Sequence, residues 1–501
     1  MKPNPGGESS ELVGIARGGS LNLAGALFNH LIRFGITFLI ARLLGPSEAG
    51  LYYQAFAFLA FLSLLASGGF IQSLTRFVAV HRADQDAGAL LGTVRLGLAF
   101  STGSAGVVAI VLFASAPWLS HSVFDAPALS ASLRIIALAL PATVFTDAAL
   151  AATRGFKTMR SYVLINFFFE SSMRIVLTGI LLGFGAGLEG AVLAILVTNC
   201  LAAILAGITL KKILGGEQPA ARYSVRELLS FSGKTWMSSL ADNAVLWADA
   251  IILGIFRPSS AVGIYVVATR VTLLATLVAG PVATSFAPRI ADLYRRGHLE
   301  ELQRSYALVT SWIVRLGLPG FLLLILFPEQ LLSIFGPGFA AAAGITVVLA
   351  CAQMFNAATG PCGFMLLMSG HATLVMLTNV VSVIMNVGLN LWLIPRYGVT
   401  GAAFAWTLEI VAMNSVRLVQ VWLVLRMSPF TLGLAKGAAA ALVAVAAALG
   451  MSVFTTGITE LVAGAGTIAL AYMGAVLWLG VDADDRLVLA AVARRFRPRT
   501  A

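Results

Sequence analysis

Charge is what this 501-residue chain has least of. Only 11% of its residues are Asp, Glu, Lys or Arg, against about 25% in a soluble globular protein. With 59% hydrophobic residues, too few polar side chains remain to cover a soluble surface. The composition is that of a polytopic membrane protein and excludes most soluble enzyme classes. Cysteine is nearly absent too. Cys200, Cys351 and Cys362 are the only three; they sit in apolar stretches without zinc-ligand spacing and read as small packing residues. A phosphate-binding loop is missing, because Gly233-Lys234-Thr235 has no glycine at the required upstream position. Long extramembrane loops are missing as well. The longest, near 212–228 and 288–304, are too short for a catalytic domain. These absences point to a non-enzyme with no ATPase engine, no metal and no nucleic-acid partner.

What the chain does have is apolar runs. About 20 residues at 1.5 Å rise cross a hydrocarbon core, and fourteen such runs are present. The first seven lie near 20–43, 52–75, 88–114, 128–152, 161–184, 188–211 and 229–256. The second seven lie near 262–287, 305–327, 344–369, 371–395, 399–424, 431–455 and 459–480. The polar stretch before the first run carries no cleavable signal, so that run is expected to remain as a transmembrane helix.

The net charge of +11 is topological rather than a nucleic-acid signature. With the N-terminus placed in the cytoplasm, 23 of the 33 Lys and Arg residues fall inside. Three (Arg42, Arg257, Arg396) fall outside and seven within helices. Basic residues gather on the cytoplasmic side of membrane proteins, so both termini are expected there.

An internal repeat recurs at an offset of about 212. Pro46-Ser47 with Gly50-Leu51-Tyr52 returns as Pro258-Ser259 with Gly263-Ile264-Tyr265; Ser73 and Arg76 return as Ser285 and Arg289; Gly190-Ala191 returns as Gly401-Ala402. Six helices separate the copies, so both enter the membrane with the same polarity, as in a parallel repeat. The expected organisation is a tail at 1–18, a first six-helix lobe at 19–212, and an inter-lobe loop at 213–228. A second six-helix lobe at 229–426, two appended helices at 427–482 and a basic tail at 483–501 complete it.

Ala41-Arg42-Leu43-Leu44-Gly45-Pro46, Gly50-Leu51-Tyr52 and Arg76-Phe77-Val78 resemble the start of polysaccharide-export proteins. Asp249-Ala250-Ile251-Ile252-Leu253-Gly254 and the run from Asn390 through Pro395-Arg396-Tyr397-Gly398 to Gly401-Ala402-Ala403 extend the resemblance. The pattern is similar to O-antigen and exopolysaccharide flippases of the multidrug/oligosaccharidyl-lipid/polysaccharide superfamily, from about Gly14 to Arg426. It implies an all-α, fourteen-helix, V-shaped, two-lobed exporter of the cytoplasmic membrane. Its substrate would be a polyprenyl-diphosphate-linked oligosaccharide, with a polysaccharide polymerase and chain-length machinery as partners.

Charges inside the bilayer cost about 2.5–3.5 kcal/mol each on insertion scales and therefore face a cavity or a partner. Here they are Arg33, Arg134, Arg174, Arg270, Arg315, Arg417 and Lys436 against Asp147, Glu170, Asp242, Asp249 and Glu409. The excess of cations suits a diphosphate, and the planar guanidinium fork binds phosphate oxygens in pairs. The resemblance implies that first- and eighth-helix arginines line a central cavity, which selects Arg33 and Arg270, with Arg315 and Arg174 as further ligands. Glu170 and Arg174, four apart, share a helix face and pair, or part when the diphosphate takes Arg174. Asp242 and Asp249 share a face of helix 7; with Glu170 and Glu409 they are candidates to couple Na⁺ or H⁺, an ion pair with a neighbouring Arg being the alternative. Asn379, Asn386 and Asn390 form a polar stripe on helix 11 that either joins helices or meets sugar hydroxyls. Pro141, Pro281, Pro319 and Pro361 are expected to kink helices. A multidrug/cation antiporter of the same superfamily and a lipid II flippase remain alternatives.

Overall fold

The computed structural model describes residues 5–156, 158–215, 220–243, 245–277 and 279–479, with side chains from residue 25 except 238, 241–246 and 432. All regular structure among them is helical. The first part runs α1 (Pro5–Ala66), α2 (Phe70–Ala83), α3 (Ala87–Trp118), α4 (Leu129–Gly155), α5 (Arg160–Tyr162), a π-helical stretch (Val163–Phe169), α6 (Glu170–Gly183) and α7 (Gly187–Leu214). Then follow α8 (Val225–Asn243), α9 (Val245–Phe256), α10 (Ser259–Leu274), α11 (Ala279–Arg295), α12 (Leu299–Leu326) and α13 (Pro328–Ser333). The last are α14 (Ala343–Thr359), α15 (Cys362–Met368), α16 (Ala372–Leu425), α17 (Leu432–Ser452) and α18 (Gly457–Trp478). Ten helices among the described residues are long and apolar enough to cross a membrane, or eleven if α10 and α11, bent by 51°, form one span.

Two of these helices are too long for one crossing, and glycine breaks both. In α1 the backbone leaves the helix at Gly45 (φ +72°), directly before Pro46. A left-handed glycine followed by a proline at a helix start is a natural stop and restart. In α16 the break is at Gly398 (φ +59°). There the chain doubles back: a methyl group on Gly401 would lie 2.3 Å from the Leu393 carbonyl oxygen. Beyond the turn, Ser382 bonds Glu409, Asn379 accepts from Arg417 at 2.9 Å and Thr378 accepts from Gln420 at 2.9 Å. Both partners recede from Gly398 together, the register of an antiparallel hairpin.

The repeat is visible in the backbone. Gly187 (φ +53°) and Gly398 (φ +59°) stand at the repeat spacing, each three residues before a Gly-Ala pair. Of the four predicted kinks, Pro141 and Pro319 lie inside α4 and α12. Pro281 falls in the first turn of α11 and Pro361 caps α15, so these two begin helices after a break.

The described chain divides into two compact units with cuts at 267/268, 386/387 and 402/403. In the unit that holds residues 25–267 and 387–402, α4 packs against α1, α2, α3 and α7. Leu133, Ile136, Leu140 and Leu150 of α4 are sealed from solvent there. In the second unit α12 packs against α11, α14, α17 and α18, with Phe321, Phe327 and Tyr306 enclosed.

Candidate functional site

In the first unit the membrane helices enclose a polar network. The π-helical stretch Val163–Phe169 precedes α6, and such wide turns re-aim the side chains that follow. Arg174 on α6 is only 6% exposed. Its Nη2 donates to Glu170 Oε1 at 2.6 Å and to Asn199 Oδ1 on α7 at 3.2 Å. Asn199 donates onward to Thr143 Oγ1 on α4 at 2.7 Å. Asn166 reaches the second Glu170 oxygen at 3.5 Å, and Ser171 donates to Asn29 of α1 at 3.2 Å. The guanidinium lies 5.4 Å from the Phe56 ring centroid. Its Nε, buried, has no hydrogen-bond partner.

Arg33 is exposed on α1, between Asn29, which accepts from Ser171 of α6, and Gly35, which faces Ile175 of α6. It thus stands on the helix that packs against the Glu170–Arg174 stretch.

A second cluster in the same unit centres on Asp249 of α9, 8% exposed. It accepts from the Tyr265 hydroxyl at 2.8 Å and from Asn390 Nδ2 at 2.6 Å. The expected stripe of asparagines therefore divides: Asn390 reaches Asp249, whereas Asn379 accepts from Arg417 and Asn386 is fully buried in the other unit.

Three further candidates lie in the second unit. Arg270 is half-buried on α10. Arg315 on α12 spends Nε and Nη2 on the Gly433 carbonyl, at 3.2 and 3.0 Å, and so attaches α17. Glu409 is held by Ser382 within the α16 hairpin. The side chain of Asp242 lies outside the described residues.

Reading the sequence overlooked Tyr52, Tyr265, Asn199, Asn29 and Thr143. A signal was available for the tyrosines, which are the paired last residues of the repeated Gly-x-Tyr motif. In the first copy the tyrosine stacks on Phe56, the ring beneath the Arg174 guanidinium; in the second it lies on a carboxylate. Among the described residues no group of three or more His, Cys, Asp or Glu is placed to hold a metal.

Comparison with known proteins adds relatives of both sequence and fold. Two proteins of Haloferax volcanii are each 28% identical to this chain: a probable low-salt glycan biosynthesis flippase, Agl15, over 194 residues, and a probable flippase, AglR, over 201. Either match covers 38% of this chain, and it spans 41% of the first relative and 40% of the second. Among solved structures, the lipid II flippase MurJ in an inward closed conformation superposes with a TM-score of 0.74. It is 13% identical, covering 91% of this chain and 97% of that one. An inward-facing multidrug-resistance transporter of the MATE family gives 0.67 at 16% identity, covering 79% and 94%. These two likenesses establish the fold, one shared with MOP-superfamily transporters. The MatE family matches residues 235–392. The family described as polysaccharide biosynthesis protein matches residues 15–294, more than half of the chain, and to that family this protein belongs.

Proposed function

We propose that the chain is a flippase that carries a polyprenyl-diphosphate-linked oligosaccharide across the cytoplasmic membrane by alternating access, with both termini in the cytoplasm. The repeat-related lobes are assigned to 19–212 and 229–426. The observation that carries this reading is the state of Arg174. A nearly fully buried guanidinium on a spanning helix is expensive, and a single carboxylate on one of its nitrogens leaves the Nε edge unsatisfied. An unmet buried donor costs about 1–3 kcal/mol, more when charged. A diphosphate, with several oxygens and more than one negative charge, supplies what Glu170 alone does not.

Arg33, on the helix packed against that stretch of α6, is the second ligand. The polyprenyl tail stays in lipid, so only the head group needs a polar path. Two relatives named as probable flippases, one of them in low-salt glycan biosynthesis, support the substrate class, and family membership supports its destination in polysaccharide assembly. A polymerase and chain-length proteins are then the downstream partners.

The energy source in this reading is an Na⁺ or H⁺ gradient acting at Asp249, a nearly buried carboxylate whose donors include Tyr265 and Asn390. The same feature, with the MatE match over 235–392, favours a cation antiporter as the second reading.

Translocation in proteoliposomes separates the two. A fluorescent undecaprenyl-diphosphate sugar is followed with an impermeant quencher while efflux of a cationic dye is measured in parallel. The flippase reading expects head-group movement that collapses in Arg174→Ala and Arg33→Ala, without dye efflux. Dye efflux dependent on Asp249 with no lipid movement would overturn it.

A further inference from the structure

Arg257 is half-buried and turned onto backbone rather than toward solvent. It directly follows the last residue of α9, the helix that carries Asp249. Its Nη2 donates to the Pro395 carbonyl at 2.9 Å and its Nε to that of Ile394 at 3.4 Å. Both acceptors belong to the first arm of α16, just before the backbone breaks at Gly398. The break explains why these carbonyls are on offer. The last four carbonyls of a helix have no partner within it, and a cation placed there also meets the negative end of the helix dipole. Gly398 makes room as well. A methyl group on it would lie 3.2 Å from Arg257 Nε and 3.6 Å from Cζ, so the guanidinium rests on a residue that has no side chain.

The same two helices also meet lower down, where Asn390 donates to Asp249 at 2.6 Å. Eight residues separate Asp249 from Arg257 and five separate Asn390 from Pro395, about 12 Å and 7.5 Å of helix, a difference that the long Arg257 side chain spans. The arm is therefore fastened to α9 at two heights, once by its backbone and once by the amide on the carboxylate. The two fastenings depend on each other. Turning the arm by a single residue, about 100°, would carry Asn390 off Asp249, and a two-pronged grip on the end of the arm opposes that turn.

The internal repeat supplies a comparison within the chain. At the repeat spacing Asp249 corresponds to Thr37, Arg257 to Gly45 and Asn390 to Gly179. The first copy has neither the carboxylate nor the amide, and it lacks the clasp too. Its turn at Gly187 faces the Glu48 carboxylate instead, 4.0 Å from an added methyl. A side chain needed only to seal the turn would be expected in both copies. It stands in the one whose arm carries a donor to a buried carboxylate.

We infer that Arg257 is a positioning residue for Asp249, gripping the end of the α16 arm so that Asn390 stays on the carboxylate. Its consequence for transport rests on the coupling role given to Asp249 above; the grip itself does not.

The test reads Asp249 directly, with neither substrate nor gradient. An apolar carbodiimide modifies protonated carboxyls within membranes, the form that donors onto a carboxylate disfavour. Peptide mass spectrometry then gives the modified fraction at Asp249 and, as an internal reference, at Glu170. Arg257→Met, of similar length but without donors, should raise modification of Asp249 several-fold and leave Glu170 unchanged. Arg257→Lys keeps a charged donor without the planar fork and should fall between Arg257→Met and wild type. Asn390→Leu should match Arg257→Met, and the double variant should exceed neither, because Arg257 acts through Asn390. Modification of Asp249 unchanged in Arg257→Met overturns the proposal. So does an equal rise at Glu170, the mark of general loosening, or an additive double variant, the mark of a route that bypasses Asn390. Should Arg257→Met fail to fold, Arg257→Lys against wild type decides by the same readout. An Asp249→Asn protein that still answers an ion gradient would remove the coupling role and leave the positioning intact.

Discussion

Asn390 donates to Asp249 across 141 residues of sequence, at 2.6 Å, and Tyr265 donates to the same carboxylate from a third helix. Removing the amide strands a buried acceptor, which costs about 1–3 kcal/mol. Asn390→Leu should therefore lower the thermal unfolding temperature in detergent more than Asn379→Leu, since Asn379 is only half-buried. Asp249→Asn should fold but translocate without response to an imposed ion gradient. A gradient response equal to wild type would remove Asp249 from coupling.

Glu170 and Arg174 give a sharper separation of stability from function. Taking away one member of a buried pair costs about 3–5 kcal/mol, whereas replacing both by apolar residues of similar size is often neutral. Arg174→Met should accordingly be strongly destabilised and Glu170→Met/Arg174→Met largely restored, with head-group translocation absent from both. Arg174→Lys keeps the charge but loses the planar fork, so it should fold and translocate slowly. A fully active double variant would show the pair to be structural only.

Much of this arrangement was legible beforehand. Low charge and long apolar runs dictate a helical membrane protein, and Gly45-Pro46 and Gly398 mark their own turns because few other residues tolerate those backbone angles. The i,i+4 spacing of Glu170 and Arg174 announced their pairing. Spacing along one helix could not announce partners on another. Asp249 was matched to Asp242 on its own face, while the donors that hold it come from α10 and α16. Likewise the stripe of asparagines on helix 11 appears uniform in sequence and divides between two units in space, because a helix face is shared out among whichever neighbours pack on it.

The glycines provide a direct comparison. Gly401 has no room for a methyl group above Leu393, whereas Gly388, on the same helix, has nothing within 4 Å. Alanine at Gly388 should stabilise by about 0.5–1 kcal/mol through helix propensity. Alanine at Gly401 should destabilise, because the turn must open to admit it. Paired thermal-shift measurements on the two variants check the sign as well as the size.

Asp86 caps α3 by accepting from the Ala89 amide at 2.9 Å and pairs with Arg222, in the stretch between α7 and α8. The amide bond, and after it Arg222, hold the Asp86 carboxyl below the usual carboxylate range. With its folded pKa lowered, the stabilisation is complete above the unfolded value of about 4 and is lost as pH falls through the folded one. Hydrogen exchange of the first α3 amides should then accelerate below about pH 4 relative to amides outside this contact, and Asp86→Ala should show faster trypsin cleavage after Arg222 already at neutral pH.

Arg315 supplies the last contrast. Its two donors on the Gly433 carbonyl tie α12 to the appended helices, and Gly437 sits against its side chain with 3.2 Å to an added methyl. Hydrogen bonds from a charged donor contribute about 1.5–3 kcal/mol, so Arg315→Ala should lower the unfolding temperature by loosening α17 and α18. Translocation per folded molecule should fall far less than in Arg174→Ala, because the guanidinium is committed to a backbone carbonyl rather than left with an open edge. Normalising the proteoliposome rate to the folded fraction, measured on the same preparation, separates the two effects; a loss equal to that of Arg174→Ala would place Arg315 on the diphosphate after all.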